Sequence, residues 1–234
     1  SYKYIFIYSV YNAWRWLIYA HSYNDINNVS ARADIINSDN RATGAWVVGT
    51  SHGQELINMA IDENENLLFI TEEEGGMKIV QYNKETGAIH NTHSEVLSIP
   101  TDSQFDGIAI DTERKIVFVS NYHGGELFSY KYHSNGLGNK PTASIVSSKV
   151  SAAIGNTTSD GPSPTLAVDT KNKLLFARLG MDAITDTLVS SFSYTNEGEL
   201  SFSDSIAGHG DVLDSTIDDY GGRAGGIVSD TTGD

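Results

Sequence analysis

Apolar and polar residues alternate along this chain in short β-branched and aromatic runs, each bounded by clusters of Gly, Asn, Asp and Ser, and helical spacing is nearly absent. The pattern predicts an all-β protein. One unit occurs three times: INMAIDENENLLFITEEEGGMKIVQYNKETGAI from Ile57, FDGIAIDTERKIVFVSNYHGGELFSYKYHSNGL from Phe105, and SPTLAVDTKNKLLFARLGMDAITDTLVSSFSYTNEGEL from Ser163. Its frame is apolar-x-apolar-Asp, a polar turn, an apolar strand, a second turn, an aromatic-ended strand and a Gly. Asp62, Asp111 and Asp169 mark the frame, and a truncated fourth start, GGIVSD, ends at Asp230.

The middle unit predicts strand A over Gly107–Ile110, B over Ile116–Ser120, C over Leu127–Tyr132 and D over Ala143–Ser148. The marker aspartates recur after 49, 58 and 61 residues. Four-stranded antiparallel sheets at this period are the signature of β-propeller blades, because such a sheet has two apolar faces and must stack on neighbours to bury them. The chain opens part-way through a unit: KYIFIYSV reads as strand B, RWLIYAHS as C and AWVVGT as D. Gly226–Asp230 reads as the missing strand A, so the N- and C-terminal strands are expected to complete one blade and hide two sheet edges. The expected architecture is one β-propeller domain over 1–234, with blades at about 1–50 plus 224–234, 55–100, 105–150 and 163–210. The rival expectation is a fragment of a seven-bladed propeller. Ser1 in place of Met suggests that residues before it were removed or left out.

The segments LLFITEEEGGMKIVQYNKETGAI and IVFVSNYHGGELFSYKYHSNGL resemble the blades of lactonase-type propellers, a family that includes phosphogluconolactonases and the fungal carboxymuconate-lactonizing enzymes. The resemblance covers roughly residues 55 to 205. It implies a propeller acting on a small lactone or sugar acid. Where that family carries a basic, histidine-containing run, this chain has Gly161-Pro-Ser-Pro164 and Gly221-Gly-Arg-Ala-Gly-Gly226.

In a meander blade the B–C turns and the D–A connections fall on one face, where propeller pockets form. The B–C set reads as Tyr11–Ala13, Glu72–Gly76, Asn121–Gly125 and Arg178–Asp182; the D–A set as Ser51–Glu55, Asp102–Asp106, Ser159–Ser163 and Tyr220–Gly225. Together they gather His52, Glu55, Glu73, Asp106, Asn121, His123, Arg178 and Arg223. Lactone chemistry needs an oxyanion stabiliser and a group that activates water or protonates a leaving oxygen. Arg178 or Arg223 would stabilise; His123, Asp106 or Glu73 would move the proton; His52, Glu55 and Asn121 would bind the substrate.

Composition narrows the field further. Acids outnumber bases 30 to 15, a net charge of −15, which repels nucleic acid and anionic lipid. With no cysteine there is no thiolate chemistry and no Cys-type zinc site. Tyr4–Ala20, with Arg15 and Asn12 inside it, is too polar for a membrane span, so no membrane insertion is expected. Asn28-Val29-Ser30 and Asn156-Thr157-Thr158 are glycosylation triplets that lean toward a secreted or extracellular protein. Calcium is the candidate cofactor, at Glu72-Glu73-Glu74 beside Gly75-Gly76; His90 and His93, in a presumed C–D loop, are a weaker metal pair. The marker aspartates are expected to bond the backbone of the turn that follows them. Tyr82, Tyr130, Tyr132, Phe192 and Tyr194 are expected to pack between blades. The alternative to an enzyme is a non-catalytic secreted or surface propeller that binds a glycan, ion or protein, or self-assembles through its terminal strands.

Overall fold

In the computed structural model the described residues are 3–10, 16–23, 45–49, 56–72, 76–85, 89–97, 105–121, 126–149, 165–178 and 187–207, the first three segments through their backbone only. They form fifteen strands and no helix. Strands β1 (Lys3–Val10), β2 (Trp16–Tyr23) and β3 (Ala45–Gly49) make a three-stranded sheet. Three four-stranded sheets follow. The first holds β4 (Leu56–Asp62), β5 (Leu67–Glu72), β6 (Gly76–Tyr82) and β7 (Ile89–Leu97). The second holds β8 (Phe105–Asp111), β9 (Ile116–Asn121), β10 (Glu126–His133) and β11 (Thr142–Lys149). The third holds β12 (Thr165–Asp169), β13 (Leu174–Arg178), β14 (Thr187–Tyr194) and β15 (Leu200–Ala207).

Within each sheet the strands lie in chain order and pair antiparallel. The meanders expected from the repeat are therefore present, and β1–β3 occupy the B, C and D places of the opening unit. The proposed partner of β1, Gly226–Ser229, lies outside the described residues. His90 and His93 fall within strand β7, where the sequence suggested a loop, and His90 pairs with Gln81.

Each A–B turn has the same construction. Asp62 Oδ1 accepts from the backbone N–H groups of Asn64 (2.9 Å) and Glu65 (3.2 Å), Asp111 Oδ1 from Arg114 (3.0 Å), and Asp169 Oδ1 from Asn172 (2.9 Å). The marker aspartates thus tie the turns, as their spacing predicts. Four residues after each aspartate the chain takes a left-handed φ, at Asn66 (56°), Lys115 (57°) and Lys173 (55°). The carbonyls of these residues accept from the backbone N–H of Tyr82, Tyr132 and Tyr194, each at 3.0 Å. That bond offsets the roughly 1 kcal/mol that a left-handed lysine costs.

The chain divides into two units, Ser1–Pro100 with His133–Ala143, and Thr101–Tyr132 with Ser144–Asp234. In the first, Leu68, Ile70, Val80, Tyr82 and Ile89 form a core that Met59 and Ile61 border. The β10–β11 turn belongs to this unit and is captured by Gln81, which is 1% exposed. Gln81 Nε2 donates to the carbonyls of Ser134 (3.2 Å) and Gly136 (2.7 Å), while its Oε1 accepts from Gly138 N–H (3.0 Å).

In the second unit β12 packs against β8 and β9. Ile116, Phe118 and Leu127 meet Leu166, Val168, Leu175, Phe192, Tyr194 and Leu200 in one apolar cluster. All six residues of β9 are buried, as a strand inside a stacked sheet must be, whereas Ser201–Asp204 of the outermost strand β15 are exposed. Gly198 sits at φ 98°, and a Cβ there would lie 3.3 Å from Ile116 Cγ2. Its carbonyl accepts from Ser129 Oγ at 2.6 Å. The five aromatics expected between blades are all buried, and they occupy two places in the repeat: Tyr82 and Tyr194 end strand C, Tyr132 precedes its last residue His133, and Tyr130 and Phe192 lie two residues before Tyr132 and Tyr194.

Candidate functional site

Three of the candidate residues, Asp106, Asn121 and Arg178, lie among the described residues of the second unit, at B–C ends of its strands. Phe105 pairs with Asn121 and Ile108 with Val119, so β8 carries one extra residue in the stretch that holds Asp106 and Gly107. Such a bulge turns a side chain out of the regular alternation, and bulges are common beside functional sites. The bulge is held by Gly107 N–H donating to Ser120 Oγ at 3.0 Å. On the neighbouring strand Asn121 stands opposite Glu126, where β9 ends and β10 begins. Asn121 is 1% exposed, and its Nδ2 donates to Glu126 Oε2 at 3.1 Å. Arg178 ends β13 of the adjacent sheet, paired with Thr165.

Asp106 lies near the start of β8 and Asn121 at the end of β9, the same end of one sheet, and Arg178 ends β13 at the equivalent place of the next repeat. Of these three, Asn121 is the one whose side chain is described; Asp106 and Arg178 are placed by their backbone. Glu73, His123, Arg223, His52 and Glu55 lie outside the described residues, as do Glu74 and Gly75 of the calcium candidate. Glu126 escaped the sequence reading because the expected loop stopped at Gly125. The available signal was the repeat itself, which places Gly76 at the corresponding start of strand C.

The opposite end carries the most strongly coupled polar group in the second unit. Asp111 is fully buried; its Oδ2 accepts from Tyr194 Oη at 2.8 Å and from Arg114 Nη1 at 3.0 Å. Arg114 also donates to the Thr170 carbonyl (2.9 Å) and to Asn196 Oδ1 (3.3 Å). Burial, and then the bond to Asp111, push the Tyr194 phenol far above its ordinary range. The bond to Asp111 raises the Arg114 guanidinium, so it stays charged throughout. Bonds from Asn172, first through its backbone and then its side chain, hold the Asp169 carboxyl below the usual range. This node joins two sheets, with the buried Asp111 carboxylate bonded by Tyr194 and Arg114. Tyr130 differs: its hydroxyl is buried without a hydrogen-bond partner among the described residues, and burial pushes it up to about 12.

Among the described residues no group of three or more His, Asp or Glu is placed to hold a metal ion, and no helix is long and apolar enough to cross a membrane.

Against known proteins, the sequence model of the family described as lactonase, seven-bladed β-propeller, matches residues 48–185, more than half of the chain. The chain belongs to this lactonase family. No curated protein matches it significantly. Solved structures similar to this lactonase-family chain include a protein from Lactobacillus plantarum, with 13% identity and a TM-score of 0.52, covering 82% of this chain and 54% of that one. A functionally unknown protein from Desulfotomaculum acetoxidans has 16% identity and a TM-score of 0.50, covering 84% and 53%. The β-propeller domain of Cps50 (Swd1) from Myceliophteria thermophila has 6% identity and a TM-score of 0.50, covering 85% and 58%. At these identities the likeness is one of fold. The chain spans a little over half the length of each of these proteins. The family's seven blades agree with the rival expectation, in which the sheets seen here are part of a seven-bladed architecture.

Proposed function

We propose that the protein acts on a small lactone or sugar acid, by hydrolysis or by lactonization, at the B–C end of its blades. Family membership supports the reading. The observation that supports it is that Asp106, Asn121 and Arg178 each fall at the B–C end of their own strand. Hydrolysis adds water across the ring ester: the acyl carbon–oxygen bond breaks, a carboxylic acid and a hydroxyl form, and the acid releases a proton. In this scheme Arg178 and Arg223 stabilise the oxyanion, and His123, Asp106 or Glu73 takes the proton from water and returns one to the leaving oxygen. A guanidinium suits the first task because it stays charged and presents several N–H groups to developing negative charge.

The test is turnover of a sugar lactone by the wild type and by Arg178→Ala and Arg223→Ala. Loss of one oxyanion donor lowers kcat by roughly a hundredfold or more. The proposal requires such a loss in at least one variant. Absence of turnover in the wild type, or turnover indifferent to both substitutions, ends it.

A further inference from the structure

The cross-strand pair at the end of β9 and β10 stands at a place where the three repeats differ. Counting back from the tyrosine near the end of strand C, Glu126 occupies the place of Gly76 in one blade and Leu188 in another. Counting from the start of strand B, Asn121 occupies the place of Glu72 and Leu179. A leucine, as at 179, would fill the Asn121 position with no polar group to satisfy. The chain instead buries a carboxamide there and commits one of its N–H groups to Glu126 Oε2 at 3.1 Å. Burial of an amide is tolerated when it is bonded, and here the bond also fixes a carboxylate. That carboxylate stands across β9 from the bulge containing Asp106, at the end proposed above for substrate.

We propose that Glu126 is a ligand-binding carboxylate and Asn121 its positioning residue: Glu126 accepts hydrogen bonds from hydroxyls of a neutral, polyhydroxylated lactone and by its charge disfavours the ring-opened acid. This rests on the lactonase reading. An ionised carboxylate has about four acceptor sites, and Asn121 uses one. The remainder suit hydroxyl donors, whose bonds to a charged acceptor are short and strong. The substrate ring is neutral, whereas the opened product carries a carboxylate of its own. A fixed negative charge at this strand end therefore attracts the first through its hydroxyls and repels the second, which favours product release.

The experiment compares D-gluconolactone and gluconate on wild type, Glu126→Gln and Asn121→Leu. Glutamine keeps an oxygen for the Asn121 bond and removes the charge. In Glu126→Gln the lactone KM rises about tenfold, as loss of a charge-assisted bond implies, while the inhibition constant of gluconate falls. In Asn121→Leu the charge remains but its orientation is lost, so lactone affinity drops with no gain for gluconate. A purely structural role would weaken both ligands together and lower Tm. Shifts in the same direction, or no shift, overturn the proposal while leaving turnover, and so the lactonase reading, intact. If the wild type shows no turnover, calorimetric titration with gluconate and the unreactive gluconolactam decides: opposite shifts in Glu126→Gln uphold the site without the reaction, and equal or absent binding overturns it.

Discussion

Tyr194 and Tyr130 are both buried tyrosines, 4% exposed each, yet removing their hydroxyls should have opposite effects. The Tyr194 hydroxyl donates to the buried Asp111 carboxylate at 2.8 Å. A hydrogen bond to a charged group contributes about 1.5–3 kcal/mol. Asp111 keeps two other donors, the backbone N–H and guanidinium of Arg114, both at 3.0 Å, so the lower part of that range applies. Tyr194→Phe is expected to destabilise the fold by about 1.5–2 kcal/mol. The Tyr130 hydroxyl has no partner among the described residues, and its ring keeps its edge contact with Phe105, centroids 6.5 Å apart, after substitution. An unsatisfied buried hydroxyl costs about 1–3 kcal/mol, so Tyr130→Phe should be neutral or stabilising by up to about that much. Urea unfolding followed by tryptophan fluorescence reads the contrast directly. With a slope of about 3 kcal/mol/M, a difference of about 2 kcal/mol separates the two midpoints by about 0.7 M. Coincident midpoints, or a Tyr130→Phe protein less stable than Tyr194→Phe, would refute the assignment of these hydroxyls as bonded and orphaned.

Gly198→Ala places a Cβ against Ile116 at a positive φ and should cost about 2 kcal/mol, read as a fall in Tm; an unchanged Tm would mean the two sheets do not approach as closely as described. Gln81→Ala removes the bonds that hold the Gly136 carbonyl and Gly138 N–H of the exposed β10–β11 turn and should cost about 1–2 kcal/mol. Lys131→Ala, which gives up exposed contacts to the Asn196 carbonyl and Glu197, should cost no more than about 1 kcal/mol, so equal losses in the same denaturation assay would contradict the difference in burial. Burial lifts Tyr82 and Tyr130 to about 12, and Tyr194 is raised further. Because the folded state favours the neutral phenols, their stabilisation is complete below the ordinary tyrosine value near 10 and is lost as pH climbs through about 12. Ultraviolet titration should leave these three un-ionised when exposed tyrosines have titrated, and full ionisation by about pH 11 with the fold intact would contradict their burial.

Much of the fold was legible from residue order alone. The alternation of apolar and polar residues marked the strands, and the Asp-turn-strand frame marked every A–B turn. Both are local: an aspartate reaches a backbone two or three residues on, and a strand shows its faces at every second position. The same locality explains the errors. The polarity of His90 and His93 suggests a loop, yet both belong to β7, the last strand of its sheet. The recurring aromatics fall at two positions of strand C, and spacing along the strand does not say which side meets a neighbour.

The candidate site was legible as a set of turns, and Glu126 was missed because one residue decides whether a carboxylate belongs to a loop or to the strand that closes it. What no reading of residue order supplies is the choice of partner over long separations. Tyr194 finds Asp111, Gln81 takes hold of the turn at Ser134–Gly138, and Gly198 admits Ile116. Three similar units present similar surfaces, so the repeat tells which positions seek a partner. Close packing and the cost of an unanswered buried polar group decide which one each receives.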